Sequence, residues 1–388
     1  MVFFRFKIAN FIKSLILISL IFFILIEISG RFLAYLKILP RGVSPVVSIF
    51  SHSDWSLWHP KNIKFTHHYN TCWEPSEVYF NNIGARGSED VFIKKTKPRI
   101  ALLGDSMIEN INVTEGLDIA SLLRKKLKKY EIINFSSRGM GMSDMSDIYL
   151  NLVKKYNVDF IFLFITENDF ENHFYKNRLN HQKKFSYDKK TNTIIKYDRD
   201  KLFFKKYFAP INKFKRSNFI LNIKKNSYTF RVYYQIRMII KAKKLEKAEK
   251  TNKTNKRYKD YLNKDLIKSK AKVYEYQVDE FLKIMQKDKI QLIPFLNIRS
   301  YLYEKESGIK LSTNQENRLN NYNMVKAKWD NHGIIDPFDS SIKYLKKKNL
   351  YSAPWLGRSC DDHYSETGTE FIASFTSAHF NLFLNENN

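Results

Sequence analysis

The chain has 388 residues, of which 44% are hydrophobic, and its formal net charge at pH 7 is +27. This length is enough to bury a substantial core, in one large domain or two ordinary ones. The chain contains only two cysteines, Cys72 and Cys360. Two cysteines with scattered histidines do not make a zinc site, so we expect no metal and no cofactor. In an oxidising compartment the two thiols could form a disulfide, and the alternative is that both stay unpaired.

An apolar run near the N-terminus predicts a transmembrane helix over residues 14–30. Residues 14–26 carry no charge, and the run continues to Gly30 past the single acidic residue Glu27. Its length is near the lower limit of about 17 residues for a membrane span. A cleavable signal peptide is the alternative, but no convincing small-residue cleavage site follows, and apolar character resumes at 32–36. We therefore predict an uncleaved anchor.

Basic residues flank the predicted span almost equally. They are Arg5, Lys7 and Lys13 before it, and Arg31, Lys37 and Arg41 after it. The positive-inside rule therefore barely decides the orientation. The long segment that follows a first helix favours a cytoplasmic N-terminus, with the rest of the chain outside the cytoplasmic membrane.

The stretch Gly104-Asp105-Ser106-Met107 follows the apolar run 100–103, which is typical of a short buried strand. A serine at the end of a strand is exposed at the carboxyl edge of the sheet, where open α/β folds place their ligands. Ser106 is therefore a candidate nucleophile. That role requires a base, an orienting carboxylate and oxyanion donors elsewhere in the chain.

Two further strand ends supply candidate oxyanion donors. Residues 132–135 predict a second strand, and Gly139 in the loop after it allows backbone N–H groups to approach a substrate. Residues 160–165 are apolar throughout, as in a strand covered on both faces, and they lead into Asn168. An asparagine amide there can donate to a developing oxyanion. Ordinary turn or cap roles are the alternatives, and His173 is either a cleft residue or a surface-loop histidine.

Most of the positive charge lies between residues 181 and 290. That segment holds 32 Lys and Arg against 11 Asp and Glu, a net charge of +21, so the remaining regions are close to balanced. We interpret 181–269 as a Lys-rich insertion, with an exposed helical stretch at 241–272 and a polar linker at 251–256. It fits a solvated face, or contact with anionic lipid head groups or an acidic glycan. Nucleic-acid binding is disfavoured because no recognised module accompanies the charge.

Helical and strand patterns alternate again in the C-terminal part. Residues 273–286 predict a helix, 290–296 a fourth parallel strand, 318–331 another helix and 333–336 a short edge strand. Strands that alternate with helices indicate a parallel sheet with helices on both faces.

The C-terminal region also supplies the base that a serine nucleophile needs. His363 follows Asp361 and Asp362 directly and precedes a helix predicted over 370–380. A carboxylate two residues before an imidazole can orient it when both lie on one turn. Asp361 is the first candidate for this role and Asp362 is the alternative. A plain turn and helix cap would use the same residue types.

Together these segments resemble the four blocks of the SGNH/GDSL hydrolase superfamily, in the family's order. The blocks fall on Gly104-Asp105-Ser106, Gly139, Asn168-Asp169 and the pair Asp361/His363. The segment 81–87 is similar to an asparagine–glycine–arginine segment of membrane-anchored bacterial members. The resemblance covers roughly residues 75–180 and 270–380. Gly141 is an alternative to Gly139, and Thr166 stands where many members have glycine.

The resemblance implies a three-layer α/β/α fold with a parallel, flavodoxin-like sheet. It also implies acyl transfer through Ser106, with His363 as base and Asp361 as its orienting acid. The implied oxyanion hole consists of the Ser106 and Gly139 N–H groups and the Asn168 amide. The predicted organisation is a cytoplasmic N-terminus at 1–13, an anchor at 14–30, a linker and lead-in segment at 31–95, a hydrolase-like domain at 96–180 and 270–388, and the insertion at 181–269.

The leading hypothesis is a single-pass inner-membrane serine esterase with a periplasmic catalytic domain. Its expected partners are an acyl-ester substrate, with cell-envelope polysaccharide as the candidate carrier, and the membrane through the N-terminal helix. One alternative is an O-acyltransferase that uses the same serine to acylate an exported polysaccharide, with an envelope acyltransferase as partner. Two others are a non-enzymatic glycan-binding envelope protein and a membrane-tethered nucleic-acid binder.

Overall fold

The computed structural model describes most of the chain. The described residues are 2–36, 51–52, 57–67, 76–172, 174, 184–197, 227–230, 232–233, 236–237, 240, 264–347 and 363–387. The chain divides into two units, of which the first is formed by Met1–Val47, His68–Glu74 and Phe214–Asn252. The predictions for Cys72, His173, Cys360, Asp361 and Asp362, including the disulfide, lie outside the described residues.

The first unit contains the long N-terminal helix α1, Val2–Tyr35. Its segment Phe11–Tyr35 has 25 residues and a mean hydropathy of 2.6, so by length and composition it could cross a membrane. A signal sequence near the N-terminus has the same character. The predicted span 14–30 lies inside this helix. The same unit has further helical residues at 228–230, 232–233, 236–237 and 240.

The second unit is built on a parallel sheet. The strands are β1 Ser51–His52, β2 Leu57–Trp58, β3 Ile63–His67, β4 Ser76–Phe80, β5 Arg99–Leu103, β6 Glu131–Asn134, β7 Phe160–Ile165, β8 Lys184–Asp188, β9 Thr193–Tyr197 and β10 Gln291–Leu296. Strands β6, β5, β7 and β10 lie side by side in that order, and all three neighbouring pairs are parallel. The pairs β1–β2, β3–β4 and β8–β9 are antiparallel.

The order of the parallel strands matches the flavodoxin-like arrangement. Numbered along the chain, they lie in the order second, first, third and fourth. A fifth position is marked by Ile335, which forms a parallel bridge with Phe295 of β10. The predicted edge strand at 333–336 is therefore reduced to this single bridge. The order 2-1-3-4-5 is that of flavodoxin-like doubly wound folds, and the predicted fold class is confirmed.

Helices flank this sheet. They are α2 Ser106–Glu109, α3 Ile119–Lys126, α4 Met142–Asn151, α5 Lys264–Lys287, α6 Ser300–Glu306, α7 Thr313–Asp330, α8 Phe338–Lys347 and α9 Glu366–Asn387. Helix α3 packs with α9, and α4 packs with α5. The ring of Phe380 on α9 lies 5.0 Å from Phe160 and 5.1 Å from Phe162 of β7. Strand β7 is buried, which explains its unbroken apolar sequence.

Two predicted helices are longer at their N-terminal ends than their apolar patterns indicate. Helix α7 begins at Thr313 rather than Arg318, because Ser312 and Gln315 form a capping box before it. Helix α9 begins at Glu366 rather than Glu370. The polar first turns of α7 and α9 carry little apolar periodicity, which is why the sequence interpretation placed their starts too late. Helix α5 joins the predicted helix 273–286 to the end of the predicted helical stretch 241–272.

The predicted exposed helical stretch at 241–272 is described only at 264–272, and the prediction of exposure is wrong for part of those residues. Lys270 is buried on α5, and its Nζ lies 2.7 Å from a carboxylate oxygen of Glu171. The hairpin β8–β9, at the start of the predicted insertion, also packs against α5, where Phe185 clusters with Val273 and Phe174. The predicted domain boundaries themselves stay a prediction.

The lead-in segment 81–87 is tied to the sheet by a buried arginine. Asn81 Oδ1 accepts hydrogen bonds from the N–H groups of Ile83 and Ala85, which closes a tight turn. The Arg86 guanidinium is fully buried, and it donates to the Val113 carbonyl at 3.0 Å. Its main-chain N–H donates to the Asn134 carbonyl at the end of β6. The arginine therefore fixes this turn beside the carboxyl end of the sheet.

Candidate active site

Ser106 occupies the position that the sequence predicts, at the carboxyl end of β5. It is the first residue of α2, and Asp105 caps this short helix by accepting a hydrogen bond from the Met107 N–H at 2.9 Å. A Cβ on Gly104 would lie 2.9 Å from Ile108 and 3.2 Å from Phe164. The strand-to-helix turn therefore has no room for a side chain at position 104, and it presents the Ser106 hydroxyl at the sheet edge.

The structure brings His363 to this hydroxyl. His363 Nε2 lies 2.7 Å from Ser106 Oγ, although the two residues are 257 positions apart. This is hydrogen-bond distance, as a general base requires. His363 precedes α9 by three residues, as the sequence indicates. Its proposed acid partners Asp361 and Asp362 lie outside the described residues, so their roles stay predictions.

Tyr364, the residue after His363, is fully buried and hydrogen-bonded to the end of one strand. Its hydroxyl donates to Asn297 Oδ1 and accepts from the Ile298 N–H, both at 3.1 Å, just beyond β10. Asn297 Nδ2 in turn donates to Thr166 Oγ1 at 2.9 Å, just beyond β7. This chain of buried hydrogen bonds fixes the loop that carries His363 relative to the sheet.

The second predicted block forms the loop between β6 and α4. Gly139 has a φ of +69°, a left-handed conformation that favours glycine. The Ser137 N–H donates to the Gly104 carbonyl at 3.2 Å, which joins this loop to the serine turn. Gly141, the alternative candidate, is the N-cap of α4, and its N–H faces Asp144 Oδ2 at 3.4 Å. Both candidate glycines therefore lie in this loop, and the choice of Gly139 rather than Gly141 as an oxyanion donor stays a prediction.

Asn168 lies on a single 3₁₀ turn, Glu167–Phe170, directly after β7. Its Oδ1 is buried, and no donor contacts it within the described ranges of the chain. The neighbouring Asp169 accepts a hydrogen bond from the Thr166 N–H at 3.0 Å, which closes the turn. Burial, followed by the charge of Asp105, raises the pKa of Asp169 well above its usual range. Hydrogen bonding between Thr166 and Asp169 therefore helps to hold the turn that carries Asn168.

A second buried carboxylate supports the same turn. Glu167 pairs with Arg299 Nε at 3.2 Å and with Arg318 Nη2 at 2.7 Å. Arg299 Nη1 also lies 3.1 Å from the sulfur of Met107, the residue after Ser106. These contacts connect the Asn168 turn with the serine turn through α6 and α7.

A buried ion cluster that the sequence interpretation missed contacts the Gly139 loop. Glu109, at the end of α2, accepts from the Arg138 main-chain N–H at 3.0 Å, and Arg138 Nε lies 3.3 Å from the same oxygen. His59 Nε2 lies 3.0 Å from the other carboxylate oxygen, and His59 Nδ1 lies 3.1 Å from the Gly84 carbonyl. Because both ring nitrogens face oxygen acceptors, both contacts are hydrogen bonds only when the ring carries two protons.

The charge state of Glu109 follows from this cluster. Burial by itself raises the pKa of Glu109, but the charge of Arg138 and the hydrogen bond from His59 outweigh it and lower the pKa to about 2. The ionised carboxylate joins the lead-in residue His59 to the loop of Gly139. One local signal could have revealed it, because Glu109 is a lone carboxylate three residues after Ser106 in an otherwise apolar turn.

No protein-family model and no curated protein matches the chain in sequence. Solved structures match it at low identity. An acetyl xylan esterase is 13% identical with a TM-score of 0.39, and the match covers 72% of this chain and 98% of that one. A lipase/acylhydrolase from Enterococcus faecalis is 9% identical with a TM-score of 0.35, covering 73% and 94%. An α/β hydrolase from the metagenome of Lake Arreo, Spain, is 11% identical with a TM-score of 0.36, covering 74% and 97%.

Proposed function

We propose that the protein is a serine esterase of the SGNH type that cleaves acyl esters. The observation that carries the proposal is the 2.7 Å contact between Ser106 Oγ and His363 Nε2 at the carboxyl edge of a parallel sheet. A serine and a histidine at this distance can share a proton, which is the first requirement for a serine nucleophile.

The proposed reaction proceeds through an acyl-enzyme. His363 Nε2 takes the proton of Ser106 while Ser106 Oγ attacks the ester carbonyl carbon and forms a tetrahedral intermediate. The ester C–O bond then breaks, and His363 returns the proton to the leaving alcohol. Water, activated by the same histidine, hydrolyses the acyl-enzyme. In this scheme Asp361 orients the imidazole, a role that rests on the sequence motif.

Three donors at three strand ends would stabilise the oxyanion. They are the Ser106 N–H, the Gly139 N–H and the side-chain amide of Asn168. The left-handed conformation of Gly139 and the position of Asn168 on the turn directly after β7 support this assignment. Loss of one such donor typically lowers the rate about 10²–10³-fold.

We further propose that α1 anchors the enzyme in the cytoplasmic membrane, with residues 1–13 in the cytoplasm and the hydrolase domain in the periplasm. The apolar segment Phe11–Tyr35 supports the anchor, and the motif 81–87 resembles that of membrane-anchored family members. In this setting the ester substrate would be an acyl decoration of cell-envelope carbohydrate.

Covalent labelling of the nucleophile tests the proposed chemistry. A fluorophosphonate probe should label the full-length protein, and Ser106→Ala should abolish labelling and reduce ester hydrolysis by about 10⁴-fold or more. Ser146→Ala, which removes a half-buried serine hydroxyl on α4, is the matched control and should label normally. Unchanged labelling of Ser106→Ala would refute the serine assignment.

The fate of the acyl group distinguishes hydrolysis from transfer. The protein is incubated with an acetyl ester donor and a polysaccharide acceptor, and free acetate is compared with acetylated polysaccharide. We expect free acetate to dominate. An excess of acetylated polysaccharide would instead establish the O-acyltransferase alternative with the same serine.

A further inference from the structure

The N-terminal helix makes a long-range contact that a simple anchor does not need. The carboxylate of Glu27 accepts hydrogen bonds from the main-chain N–H groups of Tyr228 at 2.5 Å and Thr229 at 3.0 Å. It also accepts from the hydroxyls of Ser227 at 2.8 Å and Thr229 at 3.0 Å. Arg31 Nη2 lies 2.8 Å from the same carboxylate. Glu27 is therefore the acceptor for the start of a second helical segment about two hundred residues later in the chain.

This contact explains how an acidic residue is accommodated in an apolar helix. The first N–H groups of a helix have no partner within the helix and require acceptors. Residues 228–230 are helical, and the Glu27 carboxylate supplies the acceptor that a local capping residue usually provides. A negative charge is also favourable at a helix N-terminus. Ionisable residues in membrane segments normally have such a specific partner.

Close packing accompanies the hydrogen bonds. Gly30 and Ala34 are buried, and with Glu27 they lie on one face of α1 because three or four residues separate them. A Cβ on Gly30 would lie 2.3 Å from two ring carbons of Tyr228. Only glycine leaves room for the Tyr228 ring at this position, so the contact is built into the sequence of α1.

The exposed face of the second segment is largely apolar, although the exposed Arg237 also lies on it. Phe230, Tyr233, Ile236 and Ile240 are 37%, 61%, 51% and 49% exposed, and their spacing of three or four residues places them on one helix face. The apolar side chains of α1 between Phe11 and Phe32 are exposed in the same unit. Immediately after the segment, the sequence has lysines at 241, 243, 244 and 247.

We infer that the helical residues described between 228 and 240 belong to a second membrane-associated segment, docked on α1 through Glu27 and Gly30, with its largely apolar face in the lipid bilayer. The occupant of that face is the bilayer because it adjoins the apolar surface of α1, and because the lysines after it suit anionic head groups. Cleavage of α1 as a signal peptide would remove the acceptor for Tyr228 and Thr229, so α1 is retained. The inference rests on the membrane anchoring proposed above.

Lipid quenching in the full-length protein tests this inference. Three variants each carry an environment-sensitive fluorescent amino acid at one position: Tyr233, Phe22 of α1, or the exposed Phe92 of the second unit. Each is reconstituted into phosphatidylethanolamine–phosphatidylglycerol vesicles containing spin-labelled lipids. We expect the lipids to quench the label at positions 233 and 22 and not at position 92. Quenching at 22 without quenching at 233 would overturn the inference and leave the anchor intact. No quenching at either position would overturn the anchor as well, while fluorophosphonate labelling reports separately on the serine.

A variant pair tests the docking contact itself. Glu27→Leu removes the acceptor for the second segment and should lower quenching at position 233, whereas the neighbouring exposed substitution Ile28→Leu should not. Equal quenching in both variants would overturn the role of Glu27. Cross-linking from position 233 to a second copy of the chain, in place of lipid quenching, would overturn the assignment of the bilayer as occupant. A mature protein whose mass lacks the first thirty or so residues would also overturn the inference, because α1 would then have been cleaved off.

Discussion

At the scale of single residues, the candidate site is a hydroxyl and an imidazole held by buried side chains that do not touch the reacting atoms. Ser106 is positioned by the cap at Asp105 and by the absence of a side chain at Gly104. His363 is positioned by its neighbour Tyr364. Such support matters because misplacement of a catalytic group by about 1 Å can cost about 10²-fold in rate.

Removal of the Tyr364 hydroxyl should reduce turnover without a large change in substrate binding. Tyr364→Phe leaves the buried Asn297 Oδ1 and Ile298 N–H without their partner, which costs about 1–3 kcal/mol of stability for each group. The loop that carries His363 should then adopt a wider range of positions relative to Ser106. We expect kcat to fall about tenfold, with KM nearly unchanged, in steady-state assays with an ester substrate.

The matched control for this prediction is Tyr303→Phe. Tyr303 is also buried, and its hydroxyl bonds Ser341 Oγ at 2.6 Å between α6 and α8. Its loss should lower stability but leave kcat unchanged. Equal losses of kcat in the two variants would mean that Tyr364 acts only through global stability.

The buried carboxylate Glu109 should make stability depend on pH in a defined window. Its pKa is about 2 in the folded protein and 4.5 ordinarily, so the native state binds this proton less tightly than the unfolded state. The stabilisation is present above about pH 4.5 and is lost as pH falls towards 2, with a magnitude of about 3 kcal/mol. Urea unfolding monitored at a series of pH values measures this dependence.

Glu109→Gln isolates the effect. The variant leaves the charge of Arg138 without its carboxylate, so it should be about 3–5 kcal/mol less stable at neutral pH. Its stability should then fall less between pH 4.5 and 2 than that of the parent protein. Glu77→Gln, which removes an exposed carboxylate that pairs with Lys64, should have the parental pH dependence. An identical slope in all three proteins would contradict the assignment.

At the scale of elements, the candidate site lies where the loops that follow β5, β6 and β7 come together. The Arg138–Gly139 loop is attached on one side to the serine turn through Ser137 and Gly104, and on the other to Glu109 and the lead-in segment. Its conformation is therefore set by contacts from outside the loop. We expect changes in its backbone to act on the proposed oxyanion hole rather than on the fold.

Gly139→Ala tests the conformation of this loop. Alanine at a φ of +69° costs about 1–2 kcal/mol, and relief of that strain would turn the N–H of residue 139 away. We expect kcat to fall by about 10²–10³-fold, as for loss of an oxyanion donor, in an ester-hydrolysis assay. Gly141→Ala is the control, because its φ of −130° suits any residue. A larger loss of kcat in Gly141→Ala than in Gly139→Ala would indicate that Gly141 is the oxyanion donor.

At the scale of the whole molecule, positive charge and chemistry are separated along the chain. Residues 181–290 carry +21 of the net +27. The loops of the candidate site are instead supported by paired ions, such as Glu109 with Arg138 and Glu167 with Arg299. The excess charge is thus available for a surface role, such as contact with anionic lipid.

Neutralising the lysines at 241, 243, 244, 247 and 250 with glutamine tests this separation. The change should leave the rate of Ser106 labelling by a neutral fluorophosphonate unchanged, because these lysines are remote in sequence from the motif blocks. Binding of the detergent-purified protein to phosphatidylglycerol vesicles should weaken, since each lysine near an anionic surface contributes about 1 kcal/mol. Replacing five exposed lysines outside 181–290 (Lys94, Lys125, Lys126, Lys346 and Lys347) provides the charge-matched control. A slower labelling rate in the 241–250 variant alone would contradict the separation.

The parts of the fold that depend on local pattern were predictable. Strands β5, β6, β7 and β10 were found within a residue or two because a strand covered on both faces needs a continuous apolar run. The starts of helices α7 and α9 were placed too late, because their first turns are polar and carry no apolar spacing. The predicted edge strand at 333–336 was too long, because only Ile335 forms a bridge to β10. A single bridge and a full strand have the same local sequence pattern.

By itself the sequence determined the parallel α/β class, the apolar N-terminal helix, and Ser106 and His363 as candidate partners. It did so because strand and helix periodicity and short motifs are local properties of the chain. Only the tertiary structure decided that Ser106 and His363 meet at 2.7 Å, that Glu109 joins His59 to the Gly139 loop, and that Glu27 caps segment 227–240. These contacts join residues 29 to 257 positions apart. Local sequence does not encode such pairings, because the energy of a buried polar group depends on which partner folding brings to it.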